Sequence, residues 1–244
     1  MRALDRWQQE IESYSAGCMV QVRVETVENT LRIERAFPGR SVVVRLLRQE
    51  EFVRQLVQAH ALTVNYSGDE GAFHFILLNQ ARARDWEGME EALLAHEYGH
   101  VWLAVQGYRS PVFAANCLAT AAGDIVQHIL IREETARRGF DYKAFWQRTH
   151  DAWIAGEAAV EEVPVLDSCG RLLLVAEWVD ASLAFADSSW ENRGSYFRLL
   201  ESRHPSLRPL AEDLAKWLRG RNLWDRGEYE AVLRHVAAEL AQVL

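Results

Sequence analysis

The stretch LLAHEYGHVWLAV, residues 93–105, is an apolar helix by its pattern, yet it carries His96, Glu97 and His100. Residues four apart in an α-helix lie one turn apart on the same face, so both imidazoles can reach one ion. An unpartnered polar group in a buried helix costs about 1–3 kcal/mol, and a divalent cation is the simplest partner for these three. The stretch therefore predicts a buried helix that bears a metal site.

The order of these three residues also predicts the chemistry of that site. Zinc accepts imidazole nitrogen readily, and in catalytic sites it keeps one position open for water. Glu97 follows His96 directly and can act as the general base that takes a proton from that water. The alternative is a chance match on a core helix, which the apolar residues on both sides of the motif disfavour.

A second helix after the motif offers a third ligand. Asp124 and His128 are four residues apart and share a face, whereas Glu133 and Glu134 lie among arginines and fit a solvated end. We favour Asp124, because its short side chain suits the close approach that Gly99 and the small residues before Asp124 permit. His128 stays open as the alternative ligand, with an outer role if Asp124 binds.

Residues 96–100, His-Glu-Tyr-Gly-His, resemble the HExxH motif of the zincin metallopeptidases. The order of a strand at 72–79, a loop, the motif helix and a second helix is similar too, over roughly residues 72–140. The resemblance implies a zincin-like fold, Zn²⁺ as cofactor, peptide-bond hydrolysis, and a substrate lying along strand 72–79 as a sheet edge. Because Leu103 and Gln106 replace the metzincin glycine–histidine continuation, a gluzincin-like third ligand from the next helix is implied.

The first 80 residues contain most of the strand patterns. Val20, Val22 and Val24 alternate with polar residues, which is typical of a half-buried strand. Further strands are expected at 41–47 and 72–79, and helical spacing is expected at 50–62. From residue 81 onward the patterns are helical. We therefore expect an α+β fold with a small, mainly antiparallel sheet, an active-site helix pair and a C-terminal helical layer.

Three regions follow from this division, namely a β-rich part at 1–80, the active-site helices at 81–150 and a helical region at 151–244. Helix boundaries are expected at Asp85 as an N-cap, at Gly107 and Gly139 as C-terminal glycines, and at Ser110-Pro111 as a helix start. Tyr108, Tyr142 and His150 follow the motif closely enough to be considered as oxyanion donors, although exposed positions without a role are favoured.

Composition narrows the class of protein. The net charge of −8 argues against nucleic-acid binding, and the arginines at 193, 198, 203 and 208 alternate with acidic residues, as on a solvated face. No signal peptide and no apolar run of about 18 residues is present, so no membrane association is expected. Three widely spaced cysteines fit reduced thiols in the cytoplasm.

The sequence as a whole predicts a cytoplasmic zinc metallopeptidase. His96 and His100 bind the ion, Asp124 or His128 completes the shell, and Glu97 is the general base. The partner is a peptide or protein substrate, and the oligomeric state is open. Two alternatives remain: a metal-binding protein whose four ligands close the shell, and an interaction module that keeps the zincin fold without turnover.

Overall fold

A computed structural model describes residues 2–14, 19–27, 33–36, 43–46, 59–68, 71–108, 117–158, 166–186 and 189–244. The chain divides into two compact units, Met1–Gly107 and Tyr108–Leu244. The α+β class is confirmed, and most of the described residues are helical. The sequence-based division at residues 80 and 150 stays a prediction.

The described part of the first unit contains five strands, the motif helix and two shorter α-helices. Helix α1 covers Ala3–Ser13, and the strands are β1 (Met19–Val27), β2 (Ile33–Ala36), β3 (Val43–Leu46), β4 (Ala61–Gly68) and β5 (Gly71–Asn79). β2 and β3 form an antiparallel pair. The other three strands form one sheet in the order β1-β5-β4. The predicted helix at 50–62 lies mainly outside the described residues, and its last two residues begin β4.

The three-stranded sheet is mixed rather than mainly antiparallel. β1 runs parallel to β5, from Met19 opposite Gly71 to Val27 opposite Asn79. β4 runs antiparallel to β5 on its other side. The alternating pattern of β1 indicates a strand but not the direction of its partner, which explains the difference. β5 is the central strand, so the expectation that 72–79 forms a sheet edge is wrong.

Helix α2 (Ala83–Trp86) and helix α3 (Glu90–Val105) complete the first unit. Asp85 lies within α2, and Met89 is the residue that precedes α3, so the predicted Asp85 cap of the motif helix is wrong. A turn at Gly88, with a φ of 76°, separates the two helices. The predicted end of the motif helix is confirmed, because Gly107 follows it with a φ of 84°.

The second unit is helical in its described part. Its helices are α4 (Cys117–Arg137), α5 (Tyr142–Ala158), α6 (Ser168–Ala184), α7 (Arg193–Arg203), α8 (Arg208–Leu218) and α9 (Arg226–Leu240). α6 packs against α4 and α8, and α9 packs against α4. Gly139 ends α4 as predicted, with a φ of 84°. The Ser110-Pro111 helix start lies outside the described residues.

A disulfide joins Cys117 and Cys169, whose Cα atoms are 5.3 Å apart. The prediction of reduced thiols is therefore wrong for this pair. The two cysteines are 52 residues apart in sequence, and only the packing of α4 against α6 brings their first turns together. Disulfides are rare in reducing compartments, so the cysteines no longer support a cytoplasmic location, which stays a prediction. None of the described helices is long and apolar enough to cross a membrane.

Candidate metal centre

Helix α3 presents the motif from the interior of the first unit. Leu93, Val101 and Leu103 are buried along the helix and fix its orientation, while Glu90 and Glu91 lie in its first turn. His96 and Glu97 are themselves buried, at 6% and 5% exposure. A core position is costly for an imidazole and a carboxylate unless both have polar partners.

The two motif histidines lie side by side. The ring centroids of His96 and His100 are 5.0 Å apart, with an angle of 81° between the ring planes. His128 of α4 completes the group, because one ligand nitrogen from each of the three histidines lies within 4.8 Å of the other two. The side chains are buried or half-buried. Three histidines are therefore positioned to hold a metal ion.

Asp124 is not a member of this histidine group. It lies one turn before His128 on α4, and desolvation by burial raises the pKa of its carboxyl group. The geometry thus favours His128 as the third ligand, against the preference for Asp124 drawn from the small residues near it. The imidazole of His128, which is longer than the side chain of Asp124, brings a ligand nitrogen within 4.8 Å of the other two histidines. A metal-ligand role for Asp124 stays a prediction.

Asp180 of α6 contacts the third histidine. Its Oδ1 lies 3.6 Å from Nδ1 of His128 and also forms an ion pair with Arg132. Burial disfavours ionisation of Asp180, but Arg132 and His128 outweigh it and hold the pKa of the carboxyl group well below its usual range. Burial likewise lowers the pKa of His128, and Asp180 reverses this to a net increase.

Thr63 of β4 holds the motif glutamate. Its hydroxyl donates to Oε2 of Glu97 at 2.6 Å and lies 3.3 Å from the Glu97 carbonyl oxygen. β4 packs against α3, so this contact links the sheet to the motif helix. A short hydrogen bond to a carboxylate restricts its rotation.

Two of the three candidate oxyanion donors have other partners. Tyr108 is buried and donates to the carbonyl of Trp224, and the Nδ1 of buried His150 lies 2.6 Å from the carbonyl of Trp146. The expectation that these two side chains are exposed is wrong, because aromatic neighbours cover both. Burial raises the pKa of Tyr142, which is half-buried.

Sequence reasoning missed Thr63 and Asp180. Asp180 had a visible signal, because it is an acidic residue between Val179 and Ala181, both buried in an apolar helix. Thr63 had no such signal in the sequence, since threonine is common in strands simply because its β-branched side chain fits them. Both residues are 34 or more positions from the side chain that they contact.

The donor set fits a transition metal. Imidazole nitrogen suits zinc, copper, iron and nickel, whereas calcium and magnesium require oxygen ligands. Two of the histidines come from one helical turn, which is the usual way to present two ligands to one ion, and a carboxylate supports the third from outside the group.

Comparison with known proteins adds no family to these observations. No protein-family model, curated protein or solved structure matches the chain.

Proposed function

We propose that the protein is a zinc-dependent metallopeptidase in which His96, His100 and His128 hold the ion. The group of three histidine nitrogens within 4.8 Å of one another carries this proposal. Three protein ligands leave a position open, as in catalytic zinc sites, whereas structural sites are closed by four. The absence of Asp124 from the group disfavours the alternative of a closed, purely structural shell.

A bound zinc ion supplies Lewis acidity and lowers the pKa of water toward neutrality. Glu97 accepts the proton from the attacking water and delivers it to the leaving amine, a role that requires a charged, oriented carboxylate. Thr63 provides the orientation through its 2.6 Å hydrogen bond to Oε2. Asp180 faces Nδ1 of His128, so Nε2 is the nitrogen that His128 has for the metal.

The substrate is proposed to be an extended peptide along β4. β4 is an end strand of the three-stranded sheet, and among the described residues no strand pairs with its second edge. Thr63 places this strand next to Glu97. An extended peptide can add to such an edge through backbone hydrogen bonds. The resemblance to zincins implied that the peptide lies along 72–79. Because this strand is central and β4 is at the end of the sheet, we propose β4 for this role instead.

Metal content together with ligand variants tests the metal assignment. Protein dialysed against zinc and then against metal-free buffer is expected to retain about one ion per chain. His96→Ala, His100→Ala and His128→Ala should each lose it, while Asp124→Ala and the control His235→Ala should retain it. Retention by His128→Ala with loss by Asp124→Ala would restore the ligand set first favoured from sequence.

Peptidase activity is a separate test. A mixture of quenched fluorescent peptides, incubated with zinc-loaded protein, is expected to be cleaved and to be protected by a chelator. Stoichiometric zinc binding without cleavage of any peptide or unfolded protein would leave a metal-binding module in place of an enzyme. Zinc content and cleavage therefore separate the two functions.

A further inference from the structure

A cavity of about 380 Å³ lies within the second unit, in a groove between α7 and α8 with α6 as its floor. This volume is within the range of small-molecule sites, which is roughly 300–1,000 Å³. Trp178, Phe197 and Ala215 supply apolar surface, and the other lining side chains are mostly charged. Together these features are typical of a site that takes a charged ligand with an apolar part.

The charges are unevenly distributed along the groove. At the end where α7 leads into α8, Arg208 forms ion pairs with Glu201 and Glu212, which are the two acidic lining residues. The groove continues toward the start of α7 and the last turn of α8. There the cationic lining residues are Arg193, Arg198, Lys216 and Arg219. The lining as a whole holds five cationic and two acidic side chains, an excess of three positive charges, although the chain has a net charge of −8.

The start of α7 adds to the positive potential. The helix has no side-chain cap and no acidic residue in its first turn. Arg193 is its first residue, and the guanidinium of Arg198 folds back over that turn, with a hydrogen bond to Ser195 Oγ of 3.2 Å. A Cβ on Gly194 would lie 3.3 Å from Nη1 of Arg198, so the glycine makes room for it. Cations at a helix N-terminus oppose the helix dipole, and a bound anion would reverse that cost.

Arg193 also points to a missing partner. Its guanidinium carbon lies 5.1 Å from the centre of the Phe197 ring. Its Nε is buried and has no hydrogen-bond acceptor in the described part of the chain. A buried donor without an acceptor is costly, and an anion in the groove would supply one.

We propose that this groove binds a small phosphate monoester with an apolar body. A dianionic phosphate matches several cations better than one carboxylate does, and guanidinium groups bind phosphate oxygens in pairs. The apolar body lies against Phe197 and Trp178. Sequence reasoning treated the arginines of this region as a solvated face, and the pairing of Arg208 with Glu201 and Glu212 supports that reading only at one end.

Phenyl phosphate is a suitable probe, because it combines a dianion with an aromatic ring. Calorimetric titration of the full-length protein at about 0.15 M salt should give saturable binding, and phenol at the same concentration should give none. Arg198→Gln and Lys216→Gln should each weaken binding about tenfold, as expected for the loss of one charge-assisted contact. Inorganic phosphate should bind more weakly than phenyl phosphate.

The control is Arg234→Gln, which removes a charge from an exposed pair with Glu230 on α9. It should bind phenyl phosphate like the unmodified protein. Circular dichroism establishes that each variant is folded. The proposal is overturned if no saturable binding occurs up to roughly 5 mM probe, or if Arg234→Gln weakens binding as much as Arg198→Gln does. Tighter binding of poly-glutamate than of phenyl phosphate would also overturn it in favour of an acidic protein partner.

Discussion

Replacement of Asp180 by asparagine tests how the third histidine is held. The variant keeps the shape of the side chain but removes the charge that lies 3.6 Å from Nδ1 of His128. Outer carboxylates that contact a ligating histidine contribute about 10–100-fold to metal affinity. This range corresponds to about 1.4–2.8 kcal/mol of binding free energy. Asp180→Asn should therefore bind zinc about 10–100-fold more weakly and should retain the same stoichiometry.

The assay is competition for zinc with chromophoric chelators of graded affinity at neutral pH. His128→Ala is the reference for loss of a ligand and should weaken binding more than Asp180→Asn does. Arg132 needs its own control, because Asp180→Asn leaves its guanidinium without the ion pair. The Arg132→Met/Asp180→Asn double variant removes both charges. If its affinity returns to that of the unmodified protein, the unpaired arginine caused the loss.

An unchanged zinc affinity in Asp180→Asn would refute the reasoning, provided that His128→Ala loses the metal. Asp180 would then stabilise the packing of α4 against α6 through Arg132 alone. An affinity loss as large as that of His128→Ala would also refute it, since a residue outside the ligand group should not equal a ligand. Thermal unfolding of each metal-free variant separates a local effect from general destabilisation.

Three further outcomes are expected. Glu97→Gln should keep zinc but abolish peptide cleavage, because the amide has no basic oxygen; cleavage at a near-normal rate would exclude Glu97 as the base. Thr63→Val should lower kcat/KM about tenfold or more through loss of a hydrogen bond to a charged group worth about 1.5–3 kcal/mol, and Thr63→Ser should restore it. Burial, joined at His60 by Arg82, lowers the pKa of His60 and His74 from 6.5 to about 4. As the pH falls below 6.5, the unfolded chain takes up these protons before the folded protein does. The free energy of unfolding should therefore have its full value above pH 6.5 and decrease toward pH 4 by about 3 kcal/mol per histidine. In urea unfolding without metal, His74→Gln should show a smaller decrease.

The elements with strong periodic patterns were predictable. The motif helix, its end at Gly107 and the end of α4 at Gly139 follow from apolar spacing and from the need for a positive φ. The beginning of α3 was not predictable from the sequence, because Asp85 could cap any helix that starts nearby. Several residues here could begin a helix, and tertiary packing decides that the helix begins at Glu90.

Contacts between distant elements were less predictable. The parallel pairing of β1 with β5 depends on a crossover that an alternating pattern does not specify. The two motif histidines were predictable, because helical geometry alone brings them together. The choice of His128 over Asp124 depended on the reach of a side chain between elements, and small neighbours were a poor guide to it.

The disulfide fixes the position of α4 relative to α6 along the helix axes. His128 lies eleven residues after Cys117, and Asp180 lies eleven residues after Cys169. Equal spacing in two helices that run in the same direction puts the histidine and its carboxylate at the same height, about 16 Å from the covalent link. A slip of one turn between the helices would displace the pair by about 5.4 Å and separate them. Thiol reductants during purification would remove this link without any change to the three histidines or to Asp180.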